Sequence, residues 1–233
     1  MAYNVIQLDK DLWTIEDGAV RMYLINGGTG ALLLDTGFGS GDLEKVVSEL
    51  VTGPVTVVNT HSHGDHTGGN KYFSTFYMAE ADRGEIEPAC PADAKIIIVK
   101  DGDVITAGDA ELHVIDIHGH TPGSIALLDR KNRRLFSADS IARNFPVYMQ
   151  YPGQDIYGYQ KALYRFRDMK ADYDHIYPCH GELKISFIDL ENEISALEGI
   201  LDGTIPVGEA ADSMGNKEPA YWYKTAAIFY PAR

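Results

Sequence analysis

The sequence predicts an α/β fold built as one domain over residues 1–233, and three observations carry that expectation. Short apolar runs bounded by Gly, Pro, Asn or Asp alternate with stretches of helical period. The residues able to do chemistry, Asp35, the His61 to His66 loop, His120, Asp139 and His180, each fall at or just past the C-terminal end of such a run. The chain is long enough to bury a sizeable core, and no linker or internal repeat divides it. If the runs are strands in stacked sheets, those loops converge on one edge, as in other α/β enzymes.

The elements follow in order. Val5 to Leu8 and Leu12 to Ile15 flank an Asp9-Lys10-Asp11 turn, and Met22 to Ile25 and Ala31 to Leu34 flank Gly27-Gly28-Thr29-Gly30. Asp35-Thr36-Gly37 ends the last of these. Ser40 is then expected to cap a helix with Leu43, Val46, Val47 and Leu50 on one face. Gly53-Pro54 stops it, and the strand Val55 to Val58 delivers the histidine loop. A short aromatic segment, Tyr72 to Tyr77, precedes a polar stretch. Ile96 to Val99 and Val104-Ile105 are then expected to pair as a hairpin around Asp101-Gly102. Glu111 to Ile117 alternates and runs into His118-Gly119-His120-Thr121-Pro122-Gly123-Ser124. Ile125 to Leu128 and Arg134 to Phe136 read as a further hairpin, ending at Ser137-Ala138-Asp139-Ser140. A helix from about Asp155 buries Ile156, Tyr159, Leu163 and Phe166. His175 to Tyr177 delivers Pro178-Cys179-His180-Gly181, and a second helix from Ser186 to Leu201 places Ile188, Leu190, Ile194, Leu197 and Leu201 on one side. The tail from Asp202 reads as loop with two aromatic patches.

Composition narrows the function classes. The net charge of -14 disfavours nucleic acid, whose binding needs clustered Lys and Arg, and argues for solubility. Two cysteines, Cys90 and Cys179, are too few for a disulfide framework. The N-terminal residues lack the pattern of a signal peptide, and no apolar run approaches ~18 residues, so a cytoplasmic location and no membrane contact are expected. A small-molecule substrate is expected, and the pattern leaves room for a homo-oligomer.

The chemistry concentrates in Thr60-His61-Ser62-His63-Gly64-Asp65-His66-Thr67-Gly68-Gly69. Imidazole and carboxylate together suit a divalent transition metal. A tight loop leaving a strand can aim the alternate side chains His61 and His63 at one point and turn Asp65 and His66 toward a second. His113, His118 and His175 fall outside this pattern and read as strand or loop histidines.

His-x-His-x-Asp-His followed by Gly-Gly resembles the signature of the metallo-β-lactamase superfamily. Gly-His-Thr-Pro-Gly-Ser, Ala-Asp-Ser and His-Gly-Glu recur further along in the order of the glyoxalase II-like branch. The resemblance runs from about Asp35 to His180. It implies a four-layer αβ/βα sandwich, two mixed sheets flanked by helices. It also implies that His61, His63 and His120 hold one metal, that Asp65, His66 and His180 hold a second, and that Asp139 bridges both. Two divalent ions are implied, zinc first, with iron or manganese as alternatives. Asp35 is implied to orient a ligand by taking an imidazole N–H. The implied reaction is hydrolysis of an acyl thioester or ester by a metal-bridging hydroxide, since paired metals acidify bound water from 15.7 to about 7. In that scheme Asp65 and Asp139 belong to the catalytic set.

Departures from neighbouring branches sharpen the choice. True metallo-β-lactamases usually carry Cys at the bridging position, where this chain has Asp139. RNase Z-like nucleases need a basic docking surface, and flavodiiron proteins carry Glu in place of the second His. Glyoxalase II itself holds glutathione with a helical C-terminal domain, and only some fifty residues follow His180, so the sequence leaves open whether glutathione is the carrier. Lactonases of the same superfamily are the nearest rival, with a tyrosine after the bridging Asp assisting the carbonyl. Tyr148, Tyr151 and Tyr157 stand in that region, Tyr148 and Tyr151 being the candidates, and Arg143 is an alternative anion contact. Mononuclear iron persulfide dioxygenases share much of the histidine pattern.

Overall fold

The apolar runs become strands, and how those strands pair decides where the candidate ligands end up. The computed structural model describes residues 3–212 and 215–232. By packing, the chain falls into two units: residues up to Asp116 with Gly123–Lys131, and Ile117–Pro122 with the chain from Asn132 onward.

In the first unit, β1 (Asn4–Asp9), β2 (Leu12–Asp17), β3 (Val20–Asn26) and β4 (Ala31–Leu34) form an antiparallel meander. Helix α1 (Leu43–Leu50) crosses to β5 (Val55–Val58), which lies parallel to β4. The one-turn helix α2 (Gly64–Thr67) leads to β6 (Thr75–Ala79), and the one-turn α3 (Arg83–Ile86) leads to β7 (Lys95–Val99). Both strands add in parallel, completing a seven-stranded mixed sheet in chain order. Its central strands β3 and β4 are buried almost throughout, while the edge strand β1 is largely exposed. Leu24, Leu33, Val57, Phe76 and Met78 pack with Leu43 and Val47 of α1 in one apolar cluster. Truncating any of these to Ala would cost about 2–5 kcal/mol. Strands β8 (Val104–Ala107), β9 (Ala110–Asp116) and β10 (Ile125–Asp129) form a second antiparallel run.

In the second unit, β11 (Arg134–Ala138) and β13 (His175–Pro178) are parallel neighbours. Between them in sequence come β12 (Pro146–Tyr148) and α4 (Ile156–Asp168). Helix α5 (Phe187–Asp202) follows, then β14 (Gly208–Ala211), β15 (Lys217–Tyr223) and β16 (Ala226–Phe229). These last three strands join β12 in a four-stranded mixed sheet, β12-β16-β15-β14.

Several local expectations change. Asp42, not Ser40, caps α1: its carboxylate accepts from Lys45 N at 3.0 Å. The expected hairpin across Asp101-Gly102 does not form. Lys100 to Asp103 does turn, with Asp103 N donating to Lys100 O at 3.1 Å, but β7 pairs with β6 and β8 with β9. A turn signal sets local backbone geometry and is silent on which ladder a strand joins. The tail is not loop, because its aromatic patches are β15 and β16. On α5 the Ser186 cap holds as a capping box with Asp189, but Ile188 is 57% exposed rather than buried.

Candidate metal centre

Each unit assembles a set of candidate ligands, most of them at the ends of adjacent parallel strands. In the first unit, Asp35 follows β4, and Asn59 and Thr60 lead from β5 into the histidine loop. Leu34 pairs with Val58, and Asp35 N donates to Val58 O at 3.0 Å. Asp35 is fully buried and holds a left-handed backbone, φ 63°, which costs a residue other than glycine about 1 kcal/mol or more. Its carboxylate is the hub of this set. Oδ1 accepts from Thr60 N at 2.7 Å, and Oδ2 lies 2.7 Å from Thr60 Oγ1 and 2.8 Å from His66 Nδ1.

Proton counting then settles tautomers. A carboxylate only accepts, so both Thr60 Oγ1 and His66 Nδ1 donate to it. Thr60 Oγ1 has then given its proton, and its 3.0 Å contact with His61 Nδ1 must be donated by the imidazole. Both His61 and His66 are thereby protonated on Nδ1 and present Nε2 as the ligand atom. One carboxylate orients two histidines, one directly and one through a hydroxyl.

The remaining parts of the loop are held from outside it. His63 is the residue before α2, with its ring edge-on to His61 at 4.8 Å between centroids, and the His61 and His66 rings lie 4.0 Å apart. Thr36 N donates to His66 O at 2.8 Å. Gly68 and Gly69 allow this approach, because a Cβ there would stand 2.3 Å from Phe38 O and 2.6 Å from Thr36 O. The Gly-Gly of the signature is therefore where the Asp35 loop seats against the histidine loop. Asp82, also buried, accepts from Ser62 N at 2.9 Å and from Gly123 N at 2.7 Å.

In the second unit Asp139 follows β11 and His180 follows β13, with Ala138 paired to Pro178. His120 Nδ1 donates to Tyr148 O at 2.9 Å, so its Nε2 is again the ligand atom. Gln154 Nε2 donates to both His120 O and Tyr148 O, at 2.9 and 2.8 Å, tying that loop together. His180 stacks on Phe145, 5.0 Å between centroids.

Three distances connect these atoms to metal chemistry. Asp65 Oδ2 lies 3.6 Å from His66 Nε2, and Asp139 Oδ2 lies 3.6 Å from His120 Nε2 and 3.3 Å from His180 Nε2. With Nδ1 protonated and the ring neutral, the Nε2 lone pairs of His66 and His120 each lie 3.6 Å from a carboxylate oxygen, an arrangement that a cation between them stabilises. Tetrahedral zinc with bonds of ~2.0–2.2 Å sets ligand–ligand edges of roughly 3.3–3.6 Å. The donor set fits the ion in chemistry and in spacing.

The other expected residues behave differently. Tyr148 contributes its main-chain carbonyl to His120, and its ring stacks on Tyr151 at 6.0 Å between centroids. Tyr151 is 46% exposed. Arg143 is engaged by Glu182 at 3.2 Å and Asp189 at 3.7 Å, which disfavours it as an anion contact. Thr60, Asp82 and Gln154 do not stand out in the sequence as site residues. Thr60 alone carries a signal there, standing directly before the first histidine; the other two are linked to the ligands only by tertiary packing.

Comparison with known proteins agrees with this geometry. Residues 15–180 match the model of the metallo-beta-lactamase superfamily. The chain is 27% identical over 180 residues to the Drosophila melanogaster Beta-lactamase-like protein 2 homolog, covering 69% of this chain and 58% of that protein. It is 28% identical over 161 residues to human Acyl-coenzyme A thioesterase MBLAC2, covering 52% of this chain and 58% of the relative. It is 34% identical over 110 residues to the Hydroxyacylglutathione hydrolase of Gloeothece citriformis, covering 42% and 39%. The chain thus spans little more than half the length of the first two relatives and less of the third. The DIM-1 metallo-beta-lactamase structure superposes with a TM-score of 0.72 at 16% identity, over 86% of this chain and 98% of that one. That likeness shows the fold, α/β with mixed sheets and flanking helices. With the family model spanning both sets of candidate ligands, the chain belongs to the metallo-beta-lactamase superfamily and carries His/Asp clusters that could hold metal.

Proposed function

We propose that the two sets of ligands together hold two divalent ions, zinc first, and that the chain hydrolyses an acyl thioester or ester. His61, His63 and His120 would hold one ion and Asp65, His66 and His180 the other, with Asp139 shared. When bound, such a pair supplies an acidified water and polarises a carbonyl. The chain's own part is orientation. Asp35 directs His66 and, through Thr60, His61; the Tyr148 carbonyl directs His120; Asp82 clamps Ser62.

The observation that carries the reading is the set of 3.3–3.6 Å edges between carboxylates and imidazole nitrogens, of which those of His66 and His120 hold a lone pair. The acyl preference draws support from the names of the thioesterase and hydroxyacylglutathione hydrolase relatives. A net charge of -14 supports a small-molecule substrate over nucleic acid. The test is a panel on metal-reconstituted protein: a hydroxyacyl thioester, an acyl-coenzyme A, a lactone, a bis-aryl phosphate, and a persulfide read by sulfite. The thioesters should lead the phosphate by more than ~100-fold in kcat/KM, about 2.7 kcal/mol. A leading lactone selects the lactonase, and sulfite formation on one bound iron selects the dioxygenase.

A further inference from the structure

Behind the second unit's ligands lies a buried polar cluster that the proposed chemistry does not use. Tyr159 on α4 and Glu193 on α5 are fully buried, as is Ser140, the residue after Asp139. Tyr159 Oη lies 2.8 Å from the Ser140 carbonyl oxygen and 2.9 Å from Glu193 Oε1. Tyr159 also touches the His120 loop. A Cβ on Gly119, whose φ is 150°, would stand 2.5 Å from Tyr159 N, and Asp155 N at the start of α4 donates to Gly119 O at 2.9 Å. One residue therefore abuts the position before ligand His120 and grips the position after ligand Asp139.

We propose that Tyr159, backed by Glu193, is a positioning residue that fixes the spacing of His120 and Asp139. This rests on reading those two residues as metal ligands. The hydrogen count explains why an acid stands there. Tyr159 has one hydroxyl proton, and a carbonyl oxygen can only accept, so that proton goes to Ser140 O. The contact to Glu193 is then a hydrogen bond only if Glu193 carries the proton and donates it. Burial pushes the Glu193 carboxyl well above its usual range, in the same direction. Burial likewise pushes the Tyr159 phenol up, so its proton stays on the hydroxyl. Among the described residues Glu193 Oε2 has no hydrogen-bond partner, a smaller cost for a neutral acid than for a carboxylate. A neutral acid of this kind orders the hydroxyl without adding charge beside the metal centre. The chain is proton-directed: Glu193 to Tyr159 to Ser140.

The experiment compares Tyr159→Phe, Glu193→Gln and Glu193→Leu in the full chain. Zinc affinity is measured against a competing chelator, and metal-free protein is examined by infrared spectroscopy. The wild type should show the C=O stretch of a protonated carboxylic acid at neutral pH, and Glu193→Gln should remove it. Tyr159→Phe and Glu193→Leu should weaken zinc binding by the folded protein ~10–100-fold, as loss of a partner behind metal ligands does. Glu193→Gln, whose amide can donate to Tyr159, should stay near wild type. Unchanged zinc affinity in folded Tyr159→Phe, even with a lowered Tm, would overturn the proposal by making the cluster a stability feature alone. So would Glu193→Gln binding as weakly as Glu193→Leu, or a missing acid band. Should Glu193→Leu fail to fold, Tyr159→Phe and Glu193→Gln decide alone. Wild type that binds zinc yet cleaves no acyl bond removes the proposed reaction and leaves this inference standing. Wild type that binds no zinc removes both.

Discussion

The two sets of ligands are built in opposite ways. In the first unit, His61, His63, Asp65 and His66 come from one loop, and a side chain, the Asp35 carboxylate, turns His61 and His66. In the second, His120, Asp139 and His180 come from three separate loops, and His120 is turned by a main-chain oxygen, Tyr148 O. An orienting side chain can be removed by mutation; an orienting carbonyl survives any substitution that keeps the backbone in place. The first set is thus the more sensitive to single changes behind the ligands, the second to changes in packing.

The largest effect should come from Asp139→Ala, the residue that the proposed function assigns to both ions. If Asp139 is shared, zinc content falls at both positions and kcat/KM drops at least ~1,000-fold, about 4 kcal/mol. Metal analysis showing one ion retained with full occupancy would confine Asp139 to a single position. Next comes metal removal. Zinc at ~1,000 times its dissociation constant stabilises the folded chain by about 4 kcal/mol, so chelation should lower Tm and abolish hydrolysis, and zinc should restore both. An unchanged Tm on complete removal would mean that the ligands stay folded without the ions' help.

Asp35→Ala should cost ~10–100-fold in activity and metal affinity. It also leaves Thr60 N, buried, without its acceptor, adding about 1–3 kcal/mol of instability by denaturation. Thr60→Val should be milder, since it cuts only the His61 arm; if it equals Asp35→Ala, the direct His66 contact matters little. The smallest effects belong to Tyr148→Phe and Tyr151→Phe. The carbonyl that orients His120 remains in Tyr148→Phe, so stability should stay within ~0.5 kcal/mol and thioester turnover near wild type. A loss above ~10-fold on a lactone alone would restore a carbonyl-assisting role to one of these hydroxyls.

Legibility in the amino-acid sequence follows the same division. The first set is legible because its residues lie within one short loop, where spacing alone constrains direction. Its glycines are legible as part of a signature, although their task, letting Phe38 O and Thr36 O approach, shows only in the packed chain. Most strands and both long helices are legible from period and caps, with Asp155 and Ser186 starting α4 and α5 as expected.

Local sequence by itself determined the turns, the starts of α4 and α5, most of the apolar faces and the identity of the residues able to bind metal. These depend on propensity and on neighbours within a few positions. Tertiary structure alone decided that β7 and β8 part company across a turn, that the tail strands join β12, and that Asp82 reaches both Ser62 and Gly123. It alone decided too that Tyr159 answers to both Gly119 and Ser140. The physical reason is common to all four. Pairing and hydrogen bonding across long separations are chosen by which surfaces bury best against each other, and no local pattern encodes that choice.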